Sequence, residues 1–347
     1  MKHHFLPKLA LLFIAFLSGA AYAQDLPTVA LFTTGGTIQS KGAHRQKLME
    51  YGEGRVTPAE LLADLPELKD IAIMEVHEIS NVGSGSIGAD HHLRLAKQIT
   101  ETLARDDISG AVVTHGTTTL EETAYFLQLT VKSEKPVIVV GAMRPFTAAS
   151  RDGPFNLYNA TRVAIEPTAV GKGVMIVLND TIHSARFATK GHTYHVETFD
   201  SRDIGPIGYT DSDRVVFYRT PLVRHTANSE FDVMDLDELP KVDIVYGYQE
   251  ASAAPIPALV EDGIDGLVLS SGSRNFGGEI KKAQAAGIIV VNSDRKGAGR
   301  VVLSDRRFSS GYITADNLNP QKSRILLRLA LTKTSSLKEI QRIFNEY

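Results

Sequence analysis

The stretch VVTHGTTTLEETAYFL, Val112 to Leu127, combines the features that decide the fold. An apolar run ends in His-Gly and three consecutive threonines, and a segment with helical periodicity follows at once. A strand that passes directly into a helix is typical of a βα unit in a parallel sheet. Thr117, Thr118 and Thr119 therefore fall at the carboxyl end of a strand, where such sheets bind ligands. Hydroxyls at this point can cap the helix or take part in chemistry.

The same alternation of short apolar runs and longer amphipathic runs continues on both sides of this stretch. It predicts strands at residues 29–33, 71–76, 108–114, 136–140 and 173–178. It predicts helices at residues 58–65, 90–105, 120–129 and 156–165. Alternation of this kind indicates an α/β fold, with a mostly parallel sheet and flanking helices.

A polar, acidic stretch interrupts this rhythm between residues 219 and 240. Its acidic side chains are Asp232, Asp235, Asp237 and Glu238. We interpret residues 219–240 as a linker between a larger N-terminal domain, 24–218, and a smaller C-terminal α/β domain, 241–347. The smaller domain is expected to hold three strands and a terminal helix, at residues 242–246, 266–270, 287–291 and 319–331.

Residues 1–23 have the pattern of a secretory signal peptide. Lys2 and Lys8 give a basic start, the apolar run Leu9 to Leu17 is too short to span a bilayer, and Ala-Tyr-Ala at 21–23 fits a cleavage site. An N-terminal membrane anchor is the alternative, but no comparable apolar segment follows. The mature chain is therefore expected in the periplasm, without a membrane segment.

The composition excludes several classes of partner and site. The net charge of -3 is too close to neutral to indicate binding of nucleic acid or an anionic membrane surface. The chain has no cysteine, which excludes disulfides, a thiolate nucleophile and a zinc-thiolate site. His183, His192 and His195 are irregularly spaced, which favours structural or surface histidines over a metal site.

Three stretches rich in Gly, Ser and Thr fall at predicted strand ends, at residues 33–40, 81–88 and 115–119. Glycines permit tight turns, and backbone amides at a helix start can stabilise an oxyanion. A hydroxyl becomes a nucleophile when a base or cation lies nearby. Taken singly, Thr37 and Thr117 could be helix caps, Tyr51 a packing residue and Lys190 a solvated lysine. The phosphate-binding glycine motifs are absent from all three stretches, which disfavours a nucleotide site.

Four motifs together are more specific than any of these residues alone. They are TTGGTIQS, HGTTTLEETAYFL, GAMRPFTAASRDGPFNLYNA and LNPQKSRILLRLALT, in that order. Over nearly the whole mature chain, the sequence closely resembles the bacterial periplasmic (type II) L-asparaginase and glutaminase-asparaginase family. The resemblance implies hydrolysis of a side-chain amide to a carboxylate and ammonia, without a metal or organic cofactor. It also implies a homotetramer, with sites shared between neighbouring subunits.

The resemblance assigns a role to each matching residue. Thr37 matches the nucleophile, and Tyr51, on a segment expected to form a mobile lid, matches the tyrosine that helps take its proton. Thr117 matches the second catalytic threonine, and Lys190 matches the lysine paired with it. Ser84 matches the serine that holds the substrate α-carboxylate.

The departures from the family fall at the end of the pocket that would hold the substrate amine. Thr118 replaces the aspartate that binds the α-ammonium, and Gly85 replaces a glutamine. The loop SSGSRNFGG brings Arg274 and Asn275 to the position of the family's asparagine-rich loop. Outside this end, Arg151 stands where the family has a small residue, and Ser304 falls near the position of a glutamate that approaches the tyrosine.

An ammonium buried without its counter-charge should cost about 3–5 kcal/mol. We therefore expect an asparagine whose α-amine is substituted, such as fructose-asparagine. Its size and hydroxyls suit Thr118, Arg274 and Asn275, although its amine stays charged; charge alone favours an acylated amine. The alternatives are an ordinary asparaginase or glutaminase that acts on free amino acids, and a periplasmic binding protein without catalysis. Retention of all four catalytic residues disfavours the last.

Overall fold

The computed structural model of the chain describes residues 26–347, and the predicted signal peptide at residues 1–23 lies outside the described residues. The larger lobe contains strands β1 (Thr28–Gly35), β2 (Ile73–Val82), β3 (Ile108–Thr114), β4 (Val137–Val140), β5 (Val174–Leu178), β6 (Thr181–Ser184), β7 (Thr189–Lys190), β8 (Phe199–Asp200), β9 (Gly208–Thr210) and β10 (Val215–Phe217). Its helices are α1 (Pro58–Ala63), α2 (Ala89–Leu103), α3 (Leu120–Thr130) and α4 (Gly153–Ala164).

Eight of these strands form one sheet in the order β10-β9-β6-β5-β4-β3-β1-β2. Strands β2, β1, β3, β4 and β5 are parallel, and β6, β9 and β10 extend the sheet in antiparallel fashion. The chain moves outward from β1 to β2 and then returns to place β3 on the other side of β1. Ligands bind outside the carboxyl ends of strands where the strand order reverses in this way, so β1 and β3 mark the expected site.

The smaller lobe is a parallel four-stranded sheet. Its strands follow the chain order: β11 (Val242–Tyr246), β12 (Gly266–Ser270), β13 (Ile289–Ser293) and β14 (Tyr312–Thr314). Its helices are α5 (Pro255–Glu261), α6 (Gly277–Ala285), α7 (Asp305–Ser309), α8 (Pro320–Leu331) and α9 (Leu337–Glu346). The predicted α/β class, with a larger mostly parallel N-terminal sheet and a smaller C-terminal unit, is confirmed.

The cap of α1 follows its sequence signal. Thr57 caps α1 by accepting a hydrogen bond from the backbone N–H of Glu60 at 3.1 Å, and the Glu60 carboxylate accepts one from the backbone N–H of Thr57 at 2.7 Å. Strand β2 is longer than the predicted 71–76, because its parallel pairing with β1 continues as far as Val82. No helix within residues 26–347 has the length and apolar character needed to cross a bilayer.

One hydrophobic core joins the two lobes. It runs from one face of the large sheet, under α2 and α3, to α8, α9 and the small sheet. Phe231 and Val233, from the segment between the lobes, are buried in this core. The Tyr125 hydroxyl on α3 donates a hydrogen bond to the carbonyl of Tyr347 at 3.1 Å. The smaller lobe is therefore packed against the helix that follows β3.

Candidate active site

Two glycines bring the end of β1 into backbone contact with the end of β2 and with the loop after β3. Gly35 and Gly36 have φ values of 101° and 84°, in the left-handed region that favours glycine. A Cβ added to Gly36 would lie 2.3 Å from the Cα of Gly116. A Cβ added to Gly35 would lie 2.5 Å from the carbonyl oxygen of Val82. The sequence Thr-Gly-Gly-Thr is thus required by close approach, and it places Thr37 beside the end of β3.

Thr37 begins a short 3₁₀ turn, Thr37–Gln39, and its Oγ1 donates a hydrogen bond to the hydroxyl of Tyr51 at 3.2 Å. Tyr51 lies on an exposed loop that is closed at its base by a backbone hydrogen bond from Lys41 to Gly54, at 2.8 Å. The buried Gln39 accepts a hydrogen bond from the backbone N–H of Gly35 at 3.1 Å, which holds the turn. A threonine hydroxyl and a phenol are therefore in contact at the surface of the site, an arrangement in which the phenol can take the proton of the threonine.

Thr117 forms a second pair with Lys190. The Lys190 ammonium donates a hydrogen bond to Thr117 Oγ1 at 2.7 Å, and this hydroxyl donates to Met143 Sδ at 3.4 Å. Thr117 is buried, and burial also lowers the pKa of Lys190 below its ordinary value. A lysine of lowered pKa can act as a base, so this pair supplies a route for a proton beside the first pair.

A buried chain of three side chains supports the loop that carries Thr117. His115 Nδ1 lies 2.8 Å from the Gly116 carbonyl, which can only accept, so Nδ1 is the protonated nitrogen. Thr123 Oγ1 then donates to His115 Nε2 at 2.9 Å and accepts from His92 Nε2 at 3.0 Å. Burial lowers the pKa of His115 to about 4 and that of His92 to about 3, so both rings are neutral in the folded protein.

The residues predicted to bind the α-carboxylate and the amine lie on neighbouring loops. Ser84 is buried next to Gly116, and its carbonyl accepts a hydrogen bond from Thr119 Oγ1 at 2.9 Å. Thr118 is exposed. A Cβ added to Gly85 would have no neighbour within 4 Å, so the space beside it is open. Thr119, rather than Thr117, occupies the N-cap position of α3, and its hydroxyl serves the neighbouring loop.

Arg274 and Asn275 lie elsewhere, at the carboxyl end of β12 in the smaller lobe. They line a cavity of about 710 Å³ together with Tyr248 and Arg295. Asn275 donates a hydrogen bond to the carbonyl of Ala251 at 3.1 Å. Within residues 26–347, no hydrogen bond or ion pair joins either residue to the two threonine pairs. A single chain therefore divides the predicted site residues between two regions. Arg274 and Asn275 lie in one of them. The other contains Thr37, Tyr51, Thr117, Lys190, Ser84, Gly85 and Thr118.

The three histidines and Arg151, which the sequence also singled out, make contacts outside the two threonine pairs. His183 is buried, with Nδ1 2.9 Å from Ser201 Oγ, whereas His192 and His195 are exposed and their rings stack at 3.8 Å. Within residues 26–347, no group of three or more His, Asp or Glu side chains could hold a metal ion. Arg151 forms an ion pair with Asp64 at 3.0 Å.

The site contains one buried acid that sequence reasoning missed, Glu121 in the first turn of α3. Its carboxylate accepts hydrogen bonds from Thr189 Oγ1 at 3.0 Å and from Asn319 Nδ2 at 2.8 Å. The local sequence carries no signal for this, because an acid in the first turn of a helix is ordinarily solvated. In the structure every residue of α3 except Glu122 is buried. A carboxylate inside a helix that is buried on nearly all sides must be paired.

Ser304, which falls near the sequence position of the missing glutamate, has no hydrogen bond to Tyr51 in the part of the chain that the structure describes. It is exposed and caps α7, where its hydroxyl accepts a hydrogen bond from the backbone N–H of Arg307 at 3.4 Å. Thr37 is the hydrogen-bond partner of the Tyr51 hydroxyl among the described residues. Within residues 26–347, no hydrogen bond therefore joins the Tyr51 hydroxyl to a carboxylate.

Comparison with known proteins places this arrangement in a family. Residues 28–223 match the model of the asparaginase N-terminal domain, and residues 241–344 match that of the glutaminase/asparaginase C-terminal domain. The chain is 46% identical to L-asparaginase 2 of Bacillus subtilis, over 95% of this chain and 89% of that protein. It is 40% identical to the probable periplasmic L-asparaginase of Haemophilus influenzae, over 94% of this chain and 95% of that protein.

A solved structure shows the same architecture. The probable cytoplasmic L-asparaginase from Campylobacter jejuni superimposes with a TM-score of 0.89 at 43% sequence identity. The match covers 92% of this chain and the whole of that one. The likeness therefore extends over both lobes as well as the catalytic motifs.

Proposed function

The chain belongs to the asparaginase family of amidohydrolases, and from that premise we propose that it hydrolyses the side-chain amide of asparagine or an N-substituted asparagine with Thr37 as nucleophile. One observation carries this assignment. At the point where the sheet reverses its strand order, two threonine hydroxyls each contact a group that can take a proton, Tyr51 at 3.2 Å and Lys190 at 2.7 Å. A threonine hydroxyl is a weak nucleophile unless its proton has such a route.

In the first step, Thr37 Oγ1 bonds to the amide carbon, and its proton passes through Tyr51 to the leaving nitrogen. The carbon–nitrogen bond breaks, ammonia leaves and an ester to Thr37 remains. Backbone N–H groups of the loops that meet at Gly36 and Gly116 stabilise the oxyanion that forms. Closure of the loop that carries Tyr51 would exclude water and fix the geometry of attack.

In the second step, water attacks the ester carbon while the Thr117–Lys190 pair accepts its proton. As the ester bond breaks, the pair passes that proton to Thr37 Oγ1, and the acid product loses the other proton of the water to solvent and leaves as the carboxylate. The lowered pKa of Lys190 supports this role, since burial favours its neutral, basic form. Neither step requires a metal or an organic cofactor.

The substrate is proposed to carry a substituent on its α-amine, as in fructose-asparagine. Thr118 offers a neutral hydroxyl where a carboxylate would neutralise a free ammonium, and the space beside Gly85 is open. Leaving an ammonium without its counter-charge costs about 3–5 kcal/mol, which corresponds to about two to four orders of magnitude in affinity. The amine of fructose-asparagine also stays charged, so its size and hydroxyls support this candidate, whereas charge alone favours an acylated amine. Ser84 would retain the α-carboxylate.

Arg274 and Asn275 reach such a substituent only if a second copy of the chain supplies them. We therefore propose a homotetramer in which the smaller lobe of one subunit completes the site of its neighbour. Sedimentation of the active enzyme tests this arrangement, because a purely monomeric active species would contradict it.

We also propose that residues 1–23 direct the chain to the periplasm and are then removed. The mature chain would consist of an N-terminal domain at 24–218, a linker at 219–240 and a C-terminal domain at 241–347. The periplasmic name of the Haemophilus influenzae relative supports this location, whereas the Campylobacter jejuni neighbour is named cytoplasmic. Fractionation of expressing cells, followed by mass determination of the mature protein, tests both points.

Ammonia release tests the proposed activity directly. Purified enzyme and its Thr37→Ala and Thr118→Asp variants are assayed with free L-asparagine, L-glutamine and fructose-asparagine. The expected result is preference for the conjugate, loss of activity in Thr37→Ala, and a shift toward free asparagine in Thr118→Asp. Efficient turnover of free L-asparagine at micromolar concentration would instead show that another group neutralises the amine.

The second candidate function, hydrolysis of free asparagine or glutamine, is favoured by the names of the relatives. The same three-substrate assay separates the two candidates. If no amide releases ammonia, a catalytically silent binding protein remains, and calorimetric titration with the same compounds then measures binding alone.

A further inference from the structure

The strand that carries Lys190 is too short to fix that residue by itself. Strand β7 is two residues long, Thr189–Lys190, and within the described residues it pairs with β8 in a separate two-stranded sheet. The Lys190 ammonium nevertheless has to lie 2.7 Å from Thr117 Oγ1. Two backbone pairings cannot hold a long, partly exposed lysine to that tolerance, so the anchor must come from elsewhere.

The anchor is the carboxylate of Glu121, which lies four residues after Thr117 and is 7% exposed. One carboxylate oxygen, Oε1, accepts hydrogen bonds from Thr189 Oγ1 at 3.0 Å and from the backbone N–H of Lys190 at 3.3 Å. The helix that begins after Thr117 is thereby tied to both residues of β7. One side chain therefore links the helix that follows Thr117 to the backbone of Lys190.

The other oxygen of Glu121 binds the smaller lobe. Oε2 accepts a hydrogen bond from Asn319 Nδ2 at 2.8 Å and lies 3.6 Å from the ammonium of Lys322. Asn319 caps α8, and Lys322 is 2% exposed in the first turn of that helix. The ammonium of Lys322 also donates to the carbonyl of Arg186 at 3.0 Å and to that of Ala188. Lys322 therefore holds the chain just before β7, while Glu121 holds β7 itself.

We infer that Glu121 is a positioning residue for this reaction, which fixes the backbone of Lys190 against Thr117, and that its buried pair with Lys322 couples this alignment to the smaller lobe. The inference rests on the proposed role of Lys190 as the base beside Thr117. Glu121 does not itself contact Thr37 or Thr117 through any hydrogen bond within residues 26–347. It acts through the strand that it holds.

The chain offers a matched set of variants. Glu121→Gln keeps the shape of the side chain but replaces one carboxylate oxygen with an N–H donor. In one orientation this donor faces Thr189 and Lys190, and in the other it faces Asn319 and Lys322. Thr189→Val removes one tie to Glu121 without disturbing the buried charge pair, so it remains informative if Glu121→Gln does not fold. Glu122→Gln is the control, because it makes the same change in the same helical turn at a side chain without a hydrogen bond in the described chain.

Steady-state kinetics and the pH profile of kcat are measured for each variant, with thermal unfolding followed by circular dichroism. We expect Glu121→Gln to lower kcat at least tenfold with less than a threefold change in KM, and Thr189→Val to lower kcat severalfold. The rising limb of the pH profile should move to higher pH in both variants, because a loosened Lys190 is better hydrated and keeps its proton longer. Glu122→Gln should leave kcat, KM and the profile unchanged.

Lys190→Met separates the proposed function of Lys190 from the positioning role of Glu121. If Lys190→Met retains full ammonia release, the proposed function of Lys190 fails, and the positioning role fails with it. If Lys190→Met is inactive but folded Glu121→Gln and Thr189→Val keep the kcat and pH profile of the unmodified enzyme, the positioning role alone is overturned. A lowered melting temperature with unchanged kcat would assign Glu121 to stability only, and would also overturn it.

Discussion

Gly36 and Gly116 meet backbone to backbone at the point where the large sheet reverses its strand order. A Cβ on Gly36 would lie 2.3 Å from both the Cα and the backbone nitrogen of Gly116. This contact sets the separation of the two loops, and with it the separation of Thr37 from Thr117. The Gly36 φ of 84° adds a second reason why no other residue fits.

Gly36→Ala should therefore lower kcat/KM at least tenfold and destabilise the fold by about 2 kcal/mol, because the added carbon must push the two loops apart. Ammonia release and urea unfolding followed by circular dichroism measure the two effects. Gly278→Ala is the control, since it lies in α6 and a Cβ there meets no atom within 4 Å. Equal behaviour of the two variants would contradict the close-contact argument.

The Tyr51 hydroxyl is predicted to carry the proton that leaves Thr37. Tyr51→Phe should reduce kcat by about 100- to 10,000-fold, the range for loss of a general acid–base group, with little change in KM. Tyr218→Phe, which removes a hydroxyl from a residue that is 73% exposed, controls for the substitution. A Tyr51→Phe enzyme with undiminished kcat would show that the proton leaves by another route.

The base proposed for the second step can be tested through its proton. Burial lowers the pKa of Lys190, so its neutral form appears at lower pH than that of an ordinary lysine, and kcat should rise as pH increases through that value. Lys190→Arg keeps the positive charge but cannot lose its proton, so it should remove most activity at every pH. Lys172→Arg is the matched control, because the Lys172 ammonium also donates a hydrogen bond to a threonine hydroxyl, that of Thr220, and this bond is exposed to solvent. Substantial activity in Lys190→Arg would rule out a base at this position.

The sequence was sufficient for the parallel strands of the larger sheet and for β11, β12 and β13, because strand and helix periodicities there are local and strong. It missed β14, a parallel strand of three residues, so the smaller sheet has four strands where three were expected. It was insufficient for the antiparallel extension formed by β6, β9 and β10, whose strands of four, three and three residues are too short to show a period. The Thr37–Tyr51 and Thr117–Lys190 pairs were available only through the family motifs, since their partners lie 14 and 73 residues apart.

Glu121 shows why other parts of the site could not be predicted from local patterns. An acid in the first turn of a helix ordinarily interacts favourably with the helix dipole at the surface, so LEET suggests a solvated carboxylate. Its actual partner Asn319 is 198 residues away, in a helix of the other lobe. The same holds for Arg151, which appeared as an unexplained departure and forms an ion pair with Asp64 near the end of α1.

Acid should destabilise the enzyme through its buried histidines. Burial lowers the pKa of His183 to about 4, below the value of about 6.5 in an unfolded chain. The unfolded state therefore binds more protons between these values, and the stability that is complete above pH 6.5 is lost as pH falls toward 4. His115 and His92 act in the same direction.

Urea unfolding at pH 7 and pH 5 measures this effect. For His183 alone, the free energy of unfolding should fall by about 2 kcal/mol between the two pH values, so His183→Gln should show a correspondingly smaller fall. His44→Gln, at an exposed histidine, controls for the substitution. An unchanged difference between pH 7 and pH 5 in His183→Gln would mean that this ring does not contribute to acid lability.

Specificity is predicted to depend on two residues from different lobes, Thr118 beside the amine and Arg274 in the cavity of about 710 Å³. Thr118→Asp should raise kcat/KM for free L-asparagine about 100-fold, because it restores a counter-charge worth roughly 3 kcal/mol. Arg274→Met should lower kcat/KM for fructose-asparagine about tenfold and affect free asparagine much less. Arg306→Met makes the same charge change on the same lobe, at an exposed side chain outside that cavity.

The double variant Thr118→Asp/Arg274→Met tests whether these two residues contact separate parts of the substrate. Side chains that contact opposite ends of the conjugate, with no shared partner, should have effects on kcat/KM that multiply. A strong departure from that product would place both residues on the same group of the substrate. If Arg274→Met leaves kcat/KM for both substrates unchanged, the smaller lobe does not take part in substrate recognition. The proposed contribution of a neighbouring subunit to the site would then lose its support.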